Sequence, residues 1–392
     1  MDFIDDLLLT EENRQLRATV RRFAEDVVAP RAELSDRADT MPWETIEQMG
    51  DLGFFGIGFP EEYGGQGGLP SGDIVSHAIL AEELSKADRS VAGIRGASVT
   101  AGLFLLWVGN EEQRRRYLPG IVSGDKLAAT AATEPDAGSD IGGLQTRATK
   151  RGDSYILNGR KCFISNAPDA DYYNVFARTD PEQRKHHGVS VFVVEKGTPG
   201  FLHGARHDKM GSRAYSTGEL IFEDCEVPAE NLIGQENEGF LYLMSLFDRF
   251  RPTVGAQAIG VAQAALAYAA RYANSRVQFG QPIGEFEAIK MLLGDMATRI
   301  EAARLLIYQS CLLTDNGALG RGKEASMAKG YATSVATWVC NNAIQVLGGY
   351  GYMRDYPVER WFRDVRVLEI GDGTTQIQKI IIGREVLKEH RA

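Results

Sequence analysis

Ser154-Tyr-Ile-Leu-Asn-Gly159 is the stretch on which the reading of the fold turns. Apolar and aromatic residues with strand preference run into Asn-Gly, the pair that best tolerates the backbone of a two-residue hairpin turn. A hairpin turn is therefore expected at Asn158-Gly159. Similar short runs lie on either side, at Tyr172 to Ala177, Val189 to Val194 and Gly218 to Phe222. No pattern of helical length intervenes between Ala128 and Pro228. This part of the chain reads as a compact antiparallel β domain of about 100 residues.

The sequence on both flanks has a different period. Leu16, Val20, Phe23 and Val27 lie on one helix face over 11–35, with Pro30 near its end, and Trp43, Ile46, Met49 and Leu52 repeat the pattern. A Gly/Pro-rich loop from Gly56 to Pro70 precedes a helix expected to start at Ser71. Further helical stretches cover about 90–108 and the segment from Glu111 to Tyr117, which Pro119-Gly120 is expected to end. Beyond Gly239 the helices are longer: about 238–273 with Pro252 as a kink or break, 284–315, and 323–346 closed by Gly348-Gly349. Three or four such helices form a bundle. The fold class is α+β and mainly α. It comprises an N-terminal helical domain (1–125), a middle antiparallel β-barrel or sandwich (126–232) and a C-terminal four-helix bundle (233–392).

Composition narrows the function. The chain has 392 residues with 44% hydrophobic and 24% charged residues, ordinary for a soluble globular protein. A net charge of −10 argues against nucleic-acid binding, which needs clustered positive charge. Cys162, Cys225, Cys311 and Cys340 have no paired or metal-like spacing and read as reduced thiols in the cytoplasm. The acidic N-terminus lacks the order of a signal peptide, and no apolar run is expected to span a membrane. Six histidines form no HxxxH or HExxH pair, so no metal site is expected.

The chemistry is placed at Glu369 to Gln378, EIGDGTTQIQ. Two glycines let the backbone turn, and the threonines are N-cap candidates for the helix that follows. Asp372 then sits just ahead of a helix N-terminus, a fixed position for a base. Alone, Gly-Asp-Gly reads more readily as a plain turn than as a catalytic one.

Thr133-Glu-Pro-Asp-Ala-Gly-Ser-Asp140 resembles the TEPxAGSD signature of the acyl-CoA dehydrogenase family. Arg276 to Gly280 (RVQFG), Gln345 to Tyr352 (QVLGGYGY), Tyr356 to Arg360 and Thr374-Thr-Gln-Ile-Gln378 match further signatures in the same order over nearly the whole chain. The resemblance implies FAD bound between the β domain and the bundle. It assigns Ala132, Thr133, Gly138, Ser139, Phe163 and Ser165 to the flavin and pyrophosphate, with Ser139 also near substrate. For Phe163 alone, core packing is the competing reading. Arg276, Phe279, Gln345, Gly348 and Gly349 resemble contacts made to a neighbouring subunit's FAD, and Thr374 and Gln376 are further cofactor contacts. Glu287 stands where the family usually has glutamine, which puts that contact in question. The implied assembly is at least a dimer, with a dimer of dimers as the family default.

Asp248, Arg251 and Gly373 resemble substrate-side residues for acyl-CoA. The implied reaction passes the α proton to Asp372 and the β hydrogen to flavin N5. The thioester oxygen is held by a ribityl hydroxyl and the Asp372 N–H, and electrons go on to an electron-transferring flavoprotein. Aspartate replaces the family's commoner glutamate and is shorter by about 1.5 Å. Gly371 replaces a tyrosine and leaves room. Some relatives place the base at the position of Phe250, which cannot serve. Arg95, between Gly93 and Gly96 in an apolar helix, suggests either a polar or anionic acyl group or an internal ion pair. A cyclic or branched acyl group also fits the open pocket. Two other functions remain: an oxidase of acyl-CoA or nitroalkane type, and a non-catalytic FAD-binding relative.

Overall fold

The apolar stripes of the N-terminal third become helices. The computed structural model describes residues 4, 8–69, 72–183, 186–317 and 322–391. Helix α1 (Glu11–Phe23) starts where the Thr10 side chain accepts from the Asn13 N–H, with acids in its first turn and arginines in its last. It continues through a π turn and a 3₁₀ turn holding Pro30 into α2 (Ala32–Ala38). After α3 (Trp43–Asp51) come α4 (Ile74–Ala87), α5 (Arg89–Val108) and α6 (Glu111–Ser123). The helix start expected at Ser71 lies outside the described residues; the cap of α4 is Asp73, which accepts from the Ser76 N–H. Pro119 does not end α6. The helix runs on to Gly124 at φ 84°, because Arg115, whose carbonyl loses its donor, lies on the exposed face where water replaces it.

The middle segment forms one seven-stranded sheet: β1 (Ala128–Ala131), β2 (Arg147–Arg151), β3 (Ser154–Ser165), β4 (Tyr172–Arg178), β5 (Val189–Glu195), β6 (Phe201–Arg206) and β7 (Thr217–Pro228). Its order is β1-β4-β2-β3-β7-β6, with β5 on β4. Most pairs are antiparallel, while β1 and the first residue of β2, Arg147, meet β4 in parallel. The expected turn at Asn158-Gly159 instead lies inside β3, opposite a bulge in β7, where the register shift between Leu157 and Gly159 sets Glu223 and Asp224 against Asn158 alone. The hairpin turns two residues after β2, at Gly152-Asp153, with Gly152 at φ 59°. Gly159 is needed for close approach rather than turning, since a Cβ there would come within 2.5 Å of the Thr146 hydroxyl. Asn158 and Asp224 close the bulge with bonds of 3.0 and 2.8 Å.

The C-terminal helices are α7 (Gly239–Ser275), α8 (Glu287–Asp315), α9 (Gly322–Leu347), the short α10 (Val358–Arg366) and α11 (Thr375–Glu389). Pro252 sits inside α7 without breaking it. A small hairpin of β8 (Val277–Gln278) and β9 (Gln281–Pro282) follows α7.

Helix α4 is buried on nearly every side, packed by α1, α5, α7 and α8. It carries Glu82 and Glu83 into the interior. Glu82 accepts from Arg304 (2.9 Å), Tyr308 (2.6 Å) and Gln263 (3.0 Å), with Arg17 at 3.5 Å. Glu83 meets Arg21 at 3.1 Å and Lys86 at 2.7 Å. Burial alone would raise the Glu82 pKa, but Arg304, Lys86 and Arg17 outweigh it and hold it at about 2. Contrary to expectation, one helix is long and apolar enough to cross a membrane by length and composition: α5, with 20 residues. In the fold it is a core helix, largely buried, carrying Arg89 and Arg95 inward.

Candidate active site

The first wall belongs to the β layer. After β1 the chain turns through Ala132 to Ser139. The buried Glu134 carboxylate accepts from the Gln145 N–H (2.6 Å), the Thr146 N–H (2.8 Å) and Lys161 Nζ (2.8 Å). Lys161 also donates to the Ala132 carbonyl at 3.1 Å, and the Cys162 N–H to that of Thr133 at 3.0 Å. Burial draws the Lys161 pKa down to about 8, opposed by Glu134. So pinned, the segment leaves Thr133 half-exposed and Gly138 and Ser139 exposed. Phe163 stands at φ 57°, 68% exposed, with its ring 5.1 Å from that of His207. It is therefore not a core residue. Ser165, at the end of β3, is half-buried. An uncovered aromatic face beside hydroxyls and open glycine backbone fits a planar ring system joined to a phosphate. On that observation the donor set suits FAD.

The opposite wall is the turn before α11. Thr374 caps that helix, its hydroxyl accepting from the Ile377 N–H at 3.3 Å. Asp372 at φ 53° and Gly373 at φ 88° are both left-handed, which strains the aspartate. Lys329 of α9 donates to the Gly373 carbonyl at 2.6 Å. Gln378 Nε2 donates to the Gly373 carbonyl at 2.8 Å and to that of Asp372 at 3.2 Å. The Asp372 side chain is exposed, and Gly371 faces open space, its missing Cβ having the Val367 carbonyl at 3.6 Å as nearest neighbour.

The walls meet around α5. Asp372 acts electrostatically on Arg89, Tyr215, Arg251 and Lys329. Tyr215 packs on Gly93, lies 5.2 Å under the Arg89 guanidinium, and its hydroxyl interacts with Ser165 of the first wall. The joint itself is backbone. Gly211 abuts Arg363 so closely that a Cβ would come within 2.4 Å of its carbonyl, and the Ser212 N–H donates to Asp364. Burial raises the Asp364 pKa to about 7, with Asp88 adding to the effect.

A narrow cavity opens beside α5, lined by His77, Arg95, Gly96, Thr100, Phe250 and Gln257 among others. Arg95 Nε donates to the Phe54 carbonyl at 2.8 Å, and its Nη2 lies 3.1 Å from His77 Nδ1. Among the described residues no carboxylate pairs with Arg95, so the internal ion pair considered from sequence is not formed. Burial draws the Arg95 pKa down to about 9 and, together with Arg95, keeps His77 well below its usual value. Gly96 faces Gln257, whose Nε2 would be 3.3 Å from an added Cβ. Asp248 and Arg251 form a pair at 2.8 Å one helix away.

The remaining sequence candidates gather elsewhere. Arg276 lies 5.4 Å over the Tyr350 ring, next to exposed Gln345, Gly348 and Gly349, and Phe279 is 94% exposed at φ 53°. No hydrogen bond, ion pair or ring contact among the described residues joins this patch to Thr133, Ser139 or Asp372. Glu287 is the exposed first residue of α8, where a helix dipole favours a carboxylate. Gln376 is exposed. Sequence reasoning missed Arg89, Tyr215, Lys161, Lys329 and Gln378. Lys329 had a signal: it falls on the buried stripe of α9 with Ala325, Ala328, Ala332 and Ala336.

Known proteins share this arrangement. Sequence models of the acyl-CoA dehydrogenase N-terminal, middle and C-terminal domains match residues 10–125, 129–225 and 237–387. An acyl-CoA dehydrogenase of Bacillus subtilis (strain 168) is 46% identical over 380 residues, 97% of this chain and 99% of that one. The structure of butyryl-CoA dehydrogenase from Megasphaera elsdenii aligns with a TM-score of 0.94 at 41% identity, covering 99% of this chain and 100% of that one. The structure of a glutaryl-coenzyme A dehydrogenase–glutaryl-CoA complex aligns with a TM-score of 0.94 at 36% identity, covering 99% and 97%. Matched over all three segments, with an FAD-suited wall facing a carboxylate turn, the chain belongs to the acyl-CoA dehydrogenase family.

Proposed function

We propose that this FAD-dependent acyl-CoA dehydrogenase uses Asp372 as its base and takes an acyl group with a polar or anionic end. Arg95 carries the substrate part of this reading. It is a buried guanidinium lining the cavity beside the site, with two neutral partners and no carboxylate among the described residues. Leaving such a charge uncompensated is costly unless a ligand supplies its counter-charge. The resemblance to a glutaryl-CoA-bound structure fits this reading. The missing side chains at Gly371 and Gly96 keep a ring or branch as a second reading.

Thr133, Gly138, Ser139, Phe163 and Ser165, beside Ala132, would hold the flavin and pyrophosphate. Arg276, Phe279, Gln345, Gly348 and Gly349 would hold the rest from a neighbouring subunit, with Thr374 and Gln376 at the turn. That division requires at least a dimer, and a dimer of dimers satisfies it. Bound FAD supplies the acceptor for the β hydrogen. Asp372 Oδ takes the α proton, while the Asp372 N–H holds the thioester oxygen as charge develops there. Asp248 and Arg251 orient the CoA side, and Gly373 lets the thioester approach. The shorter aspartate requires the α carbon to sit closer to the turn, which Gly371 permits.

Electrons then pass to an electron-transferring flavoprotein. An oxidase of acyl-CoA or nitroalkane type would instead release peroxide, and the Asp248–Arg251 pair on the CoA side favours the dehydrogenase. Four buried free thiols suit the reducing cytoplasm.

The test is an anaerobic flavin-bleaching screen with straight, branched, cyclic and dicarboxylic acyl-CoAs. Fastest bleaching is expected from a thioester with a polar or anionic tail. Full-rate octanoyl-CoA with no response to the others would sink the substrate reading. Asp372→Asn is expected to slow bleaching by a factor on the order of 10³, and retained rates would exclude Asp372 as base.

A further inference from the structure

Lys329 is a charge in a buried place. It lies fully buried on the face of α9 that also carries Ala325, Ser326, Ala332, Thr333 and Ala336, none of them charged. Its ammonium donates to one neutral acceptor, the Gly373 carbonyl, at 2.6 Å. A methionine would fill the same volume without the desolvation that an ammonium suffers there. The turn it touches holds a non-glycine residue, Asp372, in a left-handed conformation at φ 53°. Gln378 donates to the same Gly373 carbonyl at 2.8 Å and to that of Asp372 at 3.2 Å, but brings no charge.

We propose that Lys329 is a positioning residue for the base. From beneath the turn it locks the left-handed Asp372-Gly373 backbone and sets the charge that the Asp372 carboxylate feels. This rests on the reading of Asp372 as base. The groups facing the pair are Arg251 from α7, Glu369 from the turn, Arg89 from α5 and Tyr215 from the loop before β7. Arg89, 92% buried and without an ion pair among the described residues, adds to the positive field. Burial pulls the Lys329 pKa down to about 8, and Asp372 is the first group opposing that fall. The ammonium thus braces the turn's backbone through the Gly373 carbonyl while its charge acts on the neighbouring Asp372 carboxylate.

The test uses the FAD-loaded enzyme in wild-type, Lys329→Met, Lys329→Gln and Lys329→Arg forms. Two quantities are followed against pH: the rate of anaerobic flavin reduction by butyryl-CoA and glutaryl-CoA, and the infrared carboxyl band of Asp372, obtained by subtracting the Asp372→Asn protein. In the methionine form the Asp372 titration and the acid limb of the rate are expected to move up by about one pH unit. The plateau rate should fall about tenfold. Arginine should restore the titration to within a few tenths, and glutamine should not. If Lys329→Met does not retain FAD, Lys329→Gln carries the same comparison. An unmoved Asp372 titration, with rate lost equally at every pH, would mark a purely structural lysine and overturn the proposal. Bleaching that survives in Asp372→Asn would instead remove the base reading, while the infrared titration still reports on Lys329.

Discussion

Neighbouring helices α4 and α5 bury charge by opposite rules. Glu82 and Glu83 on α4 are surrounded by Arg17, Arg21, Lys86 and Arg304, and the Glu82 oxygens take donors from three elements. Arg89 and Arg95 on α5 have no carboxylate within ion-pair distance among the described residues. The first arrangement is closed. It joins the N-terminal helices to the bundle and needs nothing further. The second is open and lies along the catalytic cleft. Buried charge with a full complement of partners marks scaffold here, and buried charge without one is, under the proposed function, where a ligand would complete the structure.

The comparison can be broken at either end. Glu82→Ala removes the buried acceptor shared by Arg304, Tyr308 and Gln263, leaving Arg17 to Glu83 and Arg304 to Glu301 among the ion pairs of the described residues, and is expected to destabilise the protein by about 3–5 kcal/mol in chemical denaturation, with substrate preference unchanged. Arg95→Met should do the reverse. Stability should stay within about 1 kcal/mol, while kcat/KM for thioesters with an anionic tail falls about 100-fold, some 2.7 kcal/mol. If Arg95→Met unfolds the protein and Glu82→Ala alters substrate choice, the distinction fails. Acid sharpens the contrast. The folded pKa of Glu82 lies below its ordinary 4.5, so its contribution is present above that value and lost as pH falls toward 2. Thermal melting should therefore decline steeply between those limits, and less so in Glu82→Gln. The smallest effect is expected from Gly96→Ala. The new methyl meets only the Gln257 amide at 3.3 Å and should cost a few-fold in kcat/KM for branched or cyclic acyl groups, with straight chains unaffected.

The helices were legible because their apolar residues recur at helical spacing. Thr374 as a cap was also readable, since local chemistry decides capping. Asn158-Gly159 misled because the pair tolerates two unusual backbones. Which one forms depends on Thr146 and Asp224, residues distant in sequence. Pro119 misled for a related reason: whether a proline ends a helix depends on whether the freed carbonyl faces water. Asp372, Thr133 and Ser139 stood out through their motifs. Arg89, Tyr215 and Lys329 did not, because their importance lies in what the fold brings beside them. Arg95 was recognised as unusual, but only the structure distinguishes an ion pair from an open guanidinium.

The seam at Gly211 has a consequence for how the enzyme holds its working gap. The proposed base rides on the bundle and the proposed flavin wall on the β sheet, two bodies whose spacing would have to hold to about an ångström for reaction. Their register is gauged where a residue lacking a side chain lets one backbone seat directly on another, at Gly211 against Arg363. A seat made of main chain cannot adjust by changing rotamers. The proposed catalytic gap would thus be calibrated by a main-chain bearing surface, and sequence change there would alter alignment before it altered chemistry.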